Sequence, residues 1–337
     1  MRYLEGKSIL ITGGTGSLGK KLVQILLRET SVRRVIVYSR DELKQSLLAQ
    51  KPGIGDDRRI RFFIGDVRDP SRLARAFEGV DLVVHAAALK QVPAAEYNPF
   101  EAVKTNVLGA QNVIDCAIDR GVSRVIALST DKACSPVNLY GATKLCSDKL
   151  FVAGNAYAGA RATRFAAVRY GNVVGSRGSV IPLFLKLRDK GALPITDARM
   201  TRFWITLDQA ARFVLDCLTM MGGAELFVPK IPSTRVVDIA EAIAPGARHD
   251  IVGIRHGEKI HEVMITEDDA RKTLDLGDRY VVLAPIEWRA PDREHHGKQC
   301  TEGFRYSSDT NTEWLTVDQI RQMVSDLEQS GDGEISA

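Results

Sequence analysis

Residues 8–19 read SILITGGTGSLG, an apolar run that ends in a glycine-rich turn. Glycines at positions 13, 16 and 19 give the pattern GxxGxxG, and an amphipathic stretch follows. Between a first strand and a first helix, such a turn lets the backbone approach a pyrophosphate, while the helix N-terminus presents N–H groups and a positive dipole end to the anion. The segment therefore predicts a dinucleotide-binding fold. Its phosphate loop comprises Gly13, Thr15, Gly16, Ser17, Leu18 and Gly19.

Short β-branched runs alternate with longer helical patterns through the first half of the chain. The predicted strands are Ser8–Thr12, Arg34–Tyr38, Ile60–Ile64, Leu82–His85, Arg124–Ser129 and Ala166–Tyr170. The predicted helices between them include Gly19–Arg28, Ser71–Phe77, Ala102–Arg120 and Tyr140–Ala158. Nearly continuous apolar strands that alternate with helices are typical of a parallel sheet covered on both faces. The sequence therefore predicts an α/β fold built on a doubly wound parallel Rossmann sheet.

The pattern loosens beyond about residue 172, where glycine and proline interrupt the segments. Helices are predicted there at Ile181–Asp189, Leu207–Met221 and Val237–Ala244. We therefore expect residues 1–171 to form the dinucleotide-binding domain, with a later return to it near residues 204–230. Residues 172–337 would mainly form a smaller C-terminal substrate-binding lobe.

The composition is that of an ordinary globular protein. The 337 residues are 45% hydrophobic and 26% charged, with a formal net charge of +4. A disordered chain is therefore not expected, and neither is nucleic acid attracted by bulk positive charge. We recognise no secretory signal and no apolar stretch of membrane-spanning length, and the five cysteines form no CxxC pair. We expect a cytoplasmic protein with reduced thiols, no metal site and no membrane partner.

The end of the second predicted strand bears on the choice of dinucleotide, and residues 38–44 read YSRDELK. An acidic side chain here usually binds the ribose 2′-hydroxyl of NAD, whereas a 2′-phosphate needs cations and hydroxyls. Ser39, Arg40 and Lys44 can surround such a phosphate, while Asp41 can turn inward as the acid that suits NAD. We favour NADP. Further cofactor contacts are predicted at Asp66 and Val67, on the adenine edge, and at Ala86 and Ala87.

A polar strand end and a helix-start motif carry the predicted chemistry. The segment STDK follows the fifth strand, and YGATK opens the next helix, which places Tyr140 and Lys144 on one helical face. A nearby ammonium stabilises a phenolate, so Tyr140 can accept a hydroxyl proton. Asp131 and Lys132 are either a surface ion pair or acid–base groups beside Thr130. The second interpretation is favoured because strand carboxyl ends face the ligand crevice in such sheets.

These motifs lie within stretches that resemble the extended short-chain dehydrogenase/reductase family. Much of the chain looks like its soluble branch of C5-inverting UDP-N-acetylglucosamine 4,6-dehydratases, which belong to pseudaminic acid biosynthesis and flagellin glycosylation. The matching stretches, from about residue 8 to 267, include VYSRDELKQS, FFIGDVRD, HAAALKQVPAAEYNP, LSTDKACSPVNLYGATKLCSDKLF, VRYGNVVGSRGSV, MTRFWITLDQ, FVPKIPS and GEKIHEVMI; YSSDTNTEWL follows near the C-terminus. Gln91 and His256 stand where the family pattern has His and Pro.

The resemblance implies a sequence of hydride and proton transfers on a nucleotide sugar. Tyr140, assisted by Lys144, would take the C4 hydroxyl proton while hydride passes to NADP. The C4 ketone makes the C5 proton removable, so Lys132 would take that proton and Asp131 would protonate the departing C6 hydroxyl. Hydride then returns to C6, and reprotonation of C5 on the opposite face gives inversion. A basic Lys132 needs a depressed pKa, which Lys144 and exclusion of water would supply.

The resemblance further implies that UDP-N-acetylglucosamine binds largely to the second lobe and that the protein is a homo-oligomer. The implied substrate contacts are Lys90, Asn172, Arg177, Arg202, Arg255 and Glu258. Arginines suit the diphosphate, and a glutamate suits a ribose hydroxyl. Three other interpretations stay open: a soluble C5-retaining 4,6-dehydratase, a simple sugar epimerase, and a non-catalytic NADP-sensing protein that keeps the fold.

Overall fold

The computed structural model describes residues 2–176, 179–288 and 295–330. Within these ranges the strands are β1 (Ser8–Thr12), β2 (Arg34–Ser39), β3 (Ile60–Ile64), β4 (Leu82–His85), β5 (Arg124–Leu128), β6 (Arg164–Val168), β7 (Asn172–Val173), β8 (Ala192–Ile195), β9 (Thr201–Ile205), β10 (Glu225–Pro229), β11 (Ser233–Arg235), β12 (Arg248–Ile251), β13 (Val263–Ile265), β14 (Thr273–Asp275), β15 (Arg279–Leu283), β16 (Lys298–Gln299) and β17 (Tyr306–Ser307).

The α-helices of the described ranges are α1 (Ser17–Glu29), α2 (Glu42–Ala49), α3 (Pro70–Ala76), α4 (Val92–Tyr97), α5 (Pro99–Val103), α6 (Gly109–Asp119), α7 (Leu139–Tyr157), α8 (Val180–Leu187), α9 (Leu207–Met220), α10 (Val236–Ile243), α11 (Glu267–Ala270) and α12 (Val317–Ser330). A π-helical segment, Lys104–Leu108, joins α5 to α6. Short 3₁₀ helices cover Arg2–Leu4, Asp131–Ala133, Arg188–Lys190 and Ile286–Trp288.

A ten-stranded sheet forms the centre of the described structure, in the order β16-β14-β15-β10-β6-β5-β4-β1-β2-β3. The strands from β10 to β3 in this order pair in parallel. The strands β15, β14 and β16 extend one edge through antiparallel pairs. Because β1 pairs with both β2 and β4, the chain order reverses beside it and leaves a crevice at the carboxyl ends of these strands. The predicted doubly wound parallel Rossmann sheet is confirmed.

Residue patterning explains how the sheet is covered. Every residue of β1, β4 and β5 is buried, as expected of strands with helices on both faces.

The predicted helix at Leu207 begins with a capping box. Thr206 Oγ1 accepts a hydrogen bond from the Gln209 N–H at 3.1 Å, and Gln209 Oε1 accepts one from the Thr206 N–H at 3.0 Å. These reciprocal bonds satisfy backbone donors that the first turn leaves unpaired.

A second hydrophobic cluster lies beside the core of the large sheet. Its enclosed side chains include Phe184 of α8, Leu193 of β8, Ile239 of α10 and Ile320 of α12. The helix α10 packs against both α8 and α12, so the last described helix returns to close this cluster. The cluster forms the apolar interior of the smaller lobe.

The structure differs from the sequence prediction in several places. Residues 273–299 contribute β14, β15 and β16 to the main sheet, although the sequence predicts them in the lobe, because periodicity cannot identify an antiparallel partner far along the chain. The predicted helix Ala102–Arg120 is divided by the π-helical segment, and the sixth strand covers Arg164–Val168. The helices α2, α4, α11 and α12 are additional. The division near residue 171 stays a prediction.

The cysteines form no disulfide bonds. All five cysteines are free thiols, and Cys116, Cys134 and Cys217 are buried. Among the described residues, no group of three or more His, Cys, Asp or Glu side chains is arranged to hold a metal ion. None of the helices described here has both the length and the apolar character needed to cross a membrane.

Candidate active site

A cleft of about 1420 Å³ opens at the carboxyl edge of the parallel strands. Its sheet side is formed by the loops after β1, β2, β4 and β5, and its lobe side by β7, α8 and residues 255–262. The cleft is lined by every predicted site residue except two. Asp131 is fully enclosed behind the wall, at 0% exposure. Arg177 lies outside the described residues, so its predicted substrate contact stays a prediction.

The phosphate loop fits a pyrophosphate because it has no side chains in the way. Gly13 has φ +66°, and a Cβ there would lie 2.8 Å from the backbone N of Ala87. A Cβ at Gly19 would lie 2.6 Å from Gly14 Cα, so this glycine allows α1 to pack closely against the loop. Gly16 caps α1 without any side-chain hydrogen bond, which leaves first-turn N–H groups for an anion. The loop therefore has the features that a dinucleotide pyrophosphate requires.

After β2, the two basic residues line the cleft and the acidic residue Asp41 does not. Ser39, Arg40 and Lys44 line the cleft, and Ser39 Oγ lies 2.9 Å from Thr15 Oγ1 of the phosphate loop. Asp41 does not line the cleft. Its carboxylate caps α2 by accepting the Lys44 N–H at 3.0 Å, and it also lies 2.5 Å from Lys44 Nζ. The acid that the sequence left open as an NAD ligand is thus used to start a helix.

The predicted acid–base pair lies just beyond β5, where the chain turns into the 3₁₀ helix Asp131–Ala133. Thr130 caps this turn and donates a hydrogen bond from Oγ1 to Asp131 Oδ1 at 2.9 Å. Lys132 Nζ donates to the same oxygen at 3.0 Å. On the other side, Lys132 Nζ lies 3.5 Å from Glu262 Oε1, a carboxylate that is 3% exposed. Asp131, Lys132 and Glu262 form what we call the carboxylate–lysine cluster. Its burial excludes the interpretation as a surface ion pair.

Burial and the charge of the opposite partner shift the pKa values of Asp131 and Lys132 in opposite directions. Burial raises the pKa of Asp131 despite the attraction of Lys132, and the charge of Glu262 adds to the rise. Burial alone would lower the pKa of Lys132, but the two carboxylates together raise it above its usual value. The expectation that Lys144 and water exclusion depress the pKa of Lys132 is therefore wrong. No motif in the sequence marks Glu262, because its charge reaches Lys132 only through the tertiary fold.

Tyr140 and Lys144 lie together in the first turns of α7. Burial raises the pKa of Tyr140 to about 12, against the charge of Lys132 and a hydrogen bond with Thr130. Burial lowers the pKa of Lys144, and the charge of Asp148 opposes this shift only in part. The cation that favours the Tyr140 phenolate in this structure is therefore Lys132, whereas the assistance of Lys144 predicted from the helical spacing stays a prediction.

A buried network that the sequence analysis did not find supports Lys144. Asp148 lies one turn further along α7 and accepts hydrogen bonds from Ser129 Oγ at 2.7 Å and from Arg169 Nη2 at 3.2 Å. Asp148 and Arg169 are both almost fully buried. The i, i+4 spacing from Lys144 to Asp148 is visible in the sequence, but the strand-end partners are not. The network fixes α7 against β5 and β6 and so fixes Lys144 at the cleft.

The predicted substrate contacts on the lobe side differ in how they are placed. Asn172 Oδ1 is buried without a hydrogen-bond partner among the described residues, so it can accept a bond from a ligand in the cleft. Arg202 lines the cleft, but its guanidinium donates to the backbone carbonyls of Thr201, Ile260 and Lys259. Its role as a diphosphate ligand would require those bonds to rearrange. The remaining residues, Lys90, Arg255 and Glu258, lie around the cleft opening.

The chain matches known proteins over most of its length. A family profile described as "Polysaccharide biosynthesis protein" matches residues 9–284. The chain belongs to this family. It is 52% identical over 331 residues to a UDP-N-acetylglucosamine 4,6-dehydratase (inverting) from Campylobacter jejuni subsp. jejuni serotype O:2, with coverage of 96% of this chain and 98% of that relative. The resemblance to the extended short-chain dehydrogenase/reductases, and to this dehydratase branch, is confirmed.

Solved structures agree with this assignment. The structure of Pen from Bacillus thuringiensis aligns with a TM-score of 0.88 at 36% identity, covering 97% of this chain and 99% of that one. DesIV, a dTDP-glucose 4,6-dehydratase from Streptomyces venezuelae with NAD and TYD bound, aligns with a TM-score of 0.66 at 27% identity, covering 75% and 86%. The family's fold therefore extends over nearly the whole of this polysaccharide biosynthesis family member.

The substitution Gly13→Ala should weaken binding of a nicotinamide dinucleotide more than tenfold, because the new Cβ would press the phosphate loop against the backbone of Ala87. Gly6→Ala is a matched control, since Gly6 has a similar φ of +68° but nothing within 4 Å of the added Cβ. Both variants pay about 1 kcal/mol of backbone strain, and only the first should lose affinity in a fluorescence titration. Equal affinities for the two variants would contradict the assignment of the loop.

Proposed function

We propose that the protein is an NADP-dependent UDP-N-acetylglucosamine 4,6-dehydratase that inverts C5. Its product would be UDP-2-acetamido-2,6-dideoxy-β-L-arabino-hex-4-ulose, in the first step of pseudaminic acid-type sugar biosynthesis. One observation carries the proposal: Lys132 lines the same cleft as Tyr140 and the phosphate loop, and its Nζ lies 3.0 Å from the enclosed Asp131. A simple C4 epimerase needs hydride transfer and proton transfer at the C4 hydroxyl only, whereas dehydration also needs a group that removes the C5 proton.

Tyr140 begins the reaction by accepting the proton of the C4 hydroxyl. The charge of Lys132 favours its phenolate at the buried phenol, and Lys144 lies one turn away on the same helix. When bound, the dinucleotide supplies a nicotinamide that accepts the C4 hydride and later returns it to C6. Tyr140 thereby helps to form a ketone at C4, and the proton on C5 becomes acidic because it lies next to a carbonyl group.

The Asp131–Lys132 pair then exchanges protons with C5 and C6. The pair shares one proton, and in its reactive form this proton lies on the Asp131 carboxyl group while Lys132 is a neutral amine. The amine nitrogen, Nζ, then removes the C5 proton. The departing C6 hydroxyl takes a proton and leaves as water. Because Asp131 is enclosed and only Lys132 reaches the cleft, Asp131 supplies this proton through Lys132. A proton from water then adds to C5 on the opposite face, which gives the inverted product, and Tyr140 releases the C4 hydroxyl proton to water, so that the site regains its starting protonation.

The side chains at the end of β2 support NADP rather than NAD. Arg40 and Lys44 line the cleft with Ser39 as a hydroxyl donor, and Asp41 is engaged as the cap of α2 and as the partner of the Lys44 ammonium. The Arg40 guanidinium lies 3.5 Å from Asp66 and would contact a 2′-phosphate by exchanging this partner. A ribose 2′-phosphate suits cations and hydroxyls, and a 2′-hydroxyl suits a free carboxylate. The homo-oligomer and the cytoplasmic location remain expectations.

The purified protein should convert UDP-N-acetylglucosamine to a 4-keto-6-deoxy product without net consumption of NADP. Proton NMR coupling constants of the product ring should report inversion at C5. Tyr140→Phe should lower turnover by about 10² or more, whereas Tyr157→Phe, at the exposed end of the same helix, should leave it unchanged. Retention at C5 would favour the retaining dehydratase, and bound NADP without turnover would favour the non-catalytic sensor.

Arg40→Ala should reduce affinity for NADPH about tenfold or more, because the 2′-phosphate would lose its charge-assisted bond with the guanidinium. Affinity for NADH, which has no 2′-phosphate, should change little. Arg75→Ala removes an exposed arginine from α3, away from the cleft, and serves as the control. Titrations of both dinucleotides give the selectivity ratio of each variant. An unchanged ratio in Arg40→Ala would contradict its assignment to the 2′-phosphate.

A further inference from the structure

Glu262 is a buried carboxylate at the cleft to which the mechanism above gives no part. It precedes β13 and lines the cleft at 3% exposure. Its Oε1 lies 3.5 Å from Lys132 Nζ, and its Oε2 lies 3.5 Å from Lys259 Nζ. A charged group is costly to bury unless its partners compensate for the lost water. The position of Glu262 therefore depends on the cations around it, and they depend on Glu262.

The backbone of Glu262 is held from the far end of the chain. Its N–H donates to Ser308 Oγ at 2.9 Å, and its carbonyl accepts from the Ser308 N–H at 2.8 Å and from Ser307 Oγ at 3.2 Å. These bonds continue the pairing of β13 with β17. The backbone is therefore anchored, and the carboxylate extends from a fixed point to a position between Lys132 and Lys259.

Charged groups from three elements face this carboxylate. Lys132 reaches it from the turn after β5, Arg202 from β9, and Lys259 from its own loop, where Lys259 Nζ also donates to the Cys134 carbonyl at 2.6 Å. Asp131 lies on the other side of Lys132. Although burial favours the neutral acid, the three cations hold the pKa of Glu262 below its usual range. Glu262 is therefore the constant anion of the carboxylate–lysine cluster, and Asp131 is the carboxyl group that exchanges protons.

We propose that Glu262 is a positioning residue for proton transfer at C5: it holds the Lys132 side chain at the cleft and determines how tightly the Asp131–Lys132 pair keeps its shared proton. This inference rests on the proposed dehydratase function. Glu262 does not itself touch the sugar carbon in this scheme. It acts through Lys132, whose ammonium form it stabilises before and after the C5 proton is taken.

The sign of the effect on pH dependence follows from the charges. The active pair carries one shared proton, so activity falls at low pH when the pair gains a second proton and at high pH when it loses the first. An adjacent anion makes both protons harder to lose, and it therefore places both limbs of the profile at higher pH. Removing the charge of Glu262 should move the whole bell-shaped profile to lower pH.

The test is the pH profile of kcat/KM for UDP-N-acetylglucosamine in the full-length protein with NADP. Glu262→Gln should shift both limbs down by about one pH unit, as loss of a charge at this distance implies. Glu262→Asp keeps the charge on a shorter side chain that holds Lys132 less well. Its kcat/KM should therefore fall, while the pH values of both limbs stay near those of the wild type. Glu267→Gln, an exposed glutamate at the start of α11, should leave rate and profile unchanged.

Lys259→Met provides an independent variant in case Glu262→Gln does not fold. It removes a cation that neutralises Glu262, so both limbs should move to higher pH. An unshifted pH profile in Glu262→Gln would overturn the inference, and if only Lys259→Met folds, an unshifted profile in that variant would do the same. In either case, turnover by the wild type would leave the proposed function standing. Absence of wild-type turnover would overturn the proposed function and this inference with it.

Discussion

The contact between Lys132 Nζ and Asp131 Oδ1, at 3.0 Å, is the interaction on which the site depends. Asp131 is fully enclosed, and a buried charge without partners would cost several kcal/mol. The structure meets this cost with groups from separate segments: Thr130 at the end of β5, Glu262 before β13, and the cations around Glu262. The same electrostatic balance therefore joins the sheet to the lobe and places an amine at the cleft.

The parallel sheet explains why the phosphate loop and the proposed acid–base groups lie in one cleft. In such a sheet the carboxyl ends of neighbouring strands lie along one edge, so the loops after β1, β4 and β5 open into a common crevice. The phosphate loop follows β1, and the acid–base pair follows β5. The helix α7 then returns along the sheet and brings Tyr140 and Lys144 to the same place, fixed by Asp148 and its buried partners.

The parts that the sequence predicts well are those encoded by neighbouring residues. The glycine spacing at residues 13–19 and the four-residue spacing of Tyr140 and Lys144 follow from local geometry, and the cleft brings them together. Glu262 escapes prediction because its contact with Lys132 arises only when β13 packs beside the turn after β5. Arg202 shows the same limit, since residue type suggests a phosphate ligand while the guanidinium donates to backbone carbonyls. The antiparallel edge strands are likewise set by distant pairing.

In the proposed reaction, Lys132 moves the C5 proton after Tyr140 has helped to oxidise C4. This step is tested most directly by single-turnover reactions of Lys132→Met in deuterated water, in which NADPH absorbance and deuterium at C5 are followed together. We expect NADPH to form more slowly than in the wild type, because the Tyr140 phenolate loses the charge of Lys132, and we expect no deuterium to enter C5. Deuterium at C5 at the wild-type level would contradict this role of Lys132.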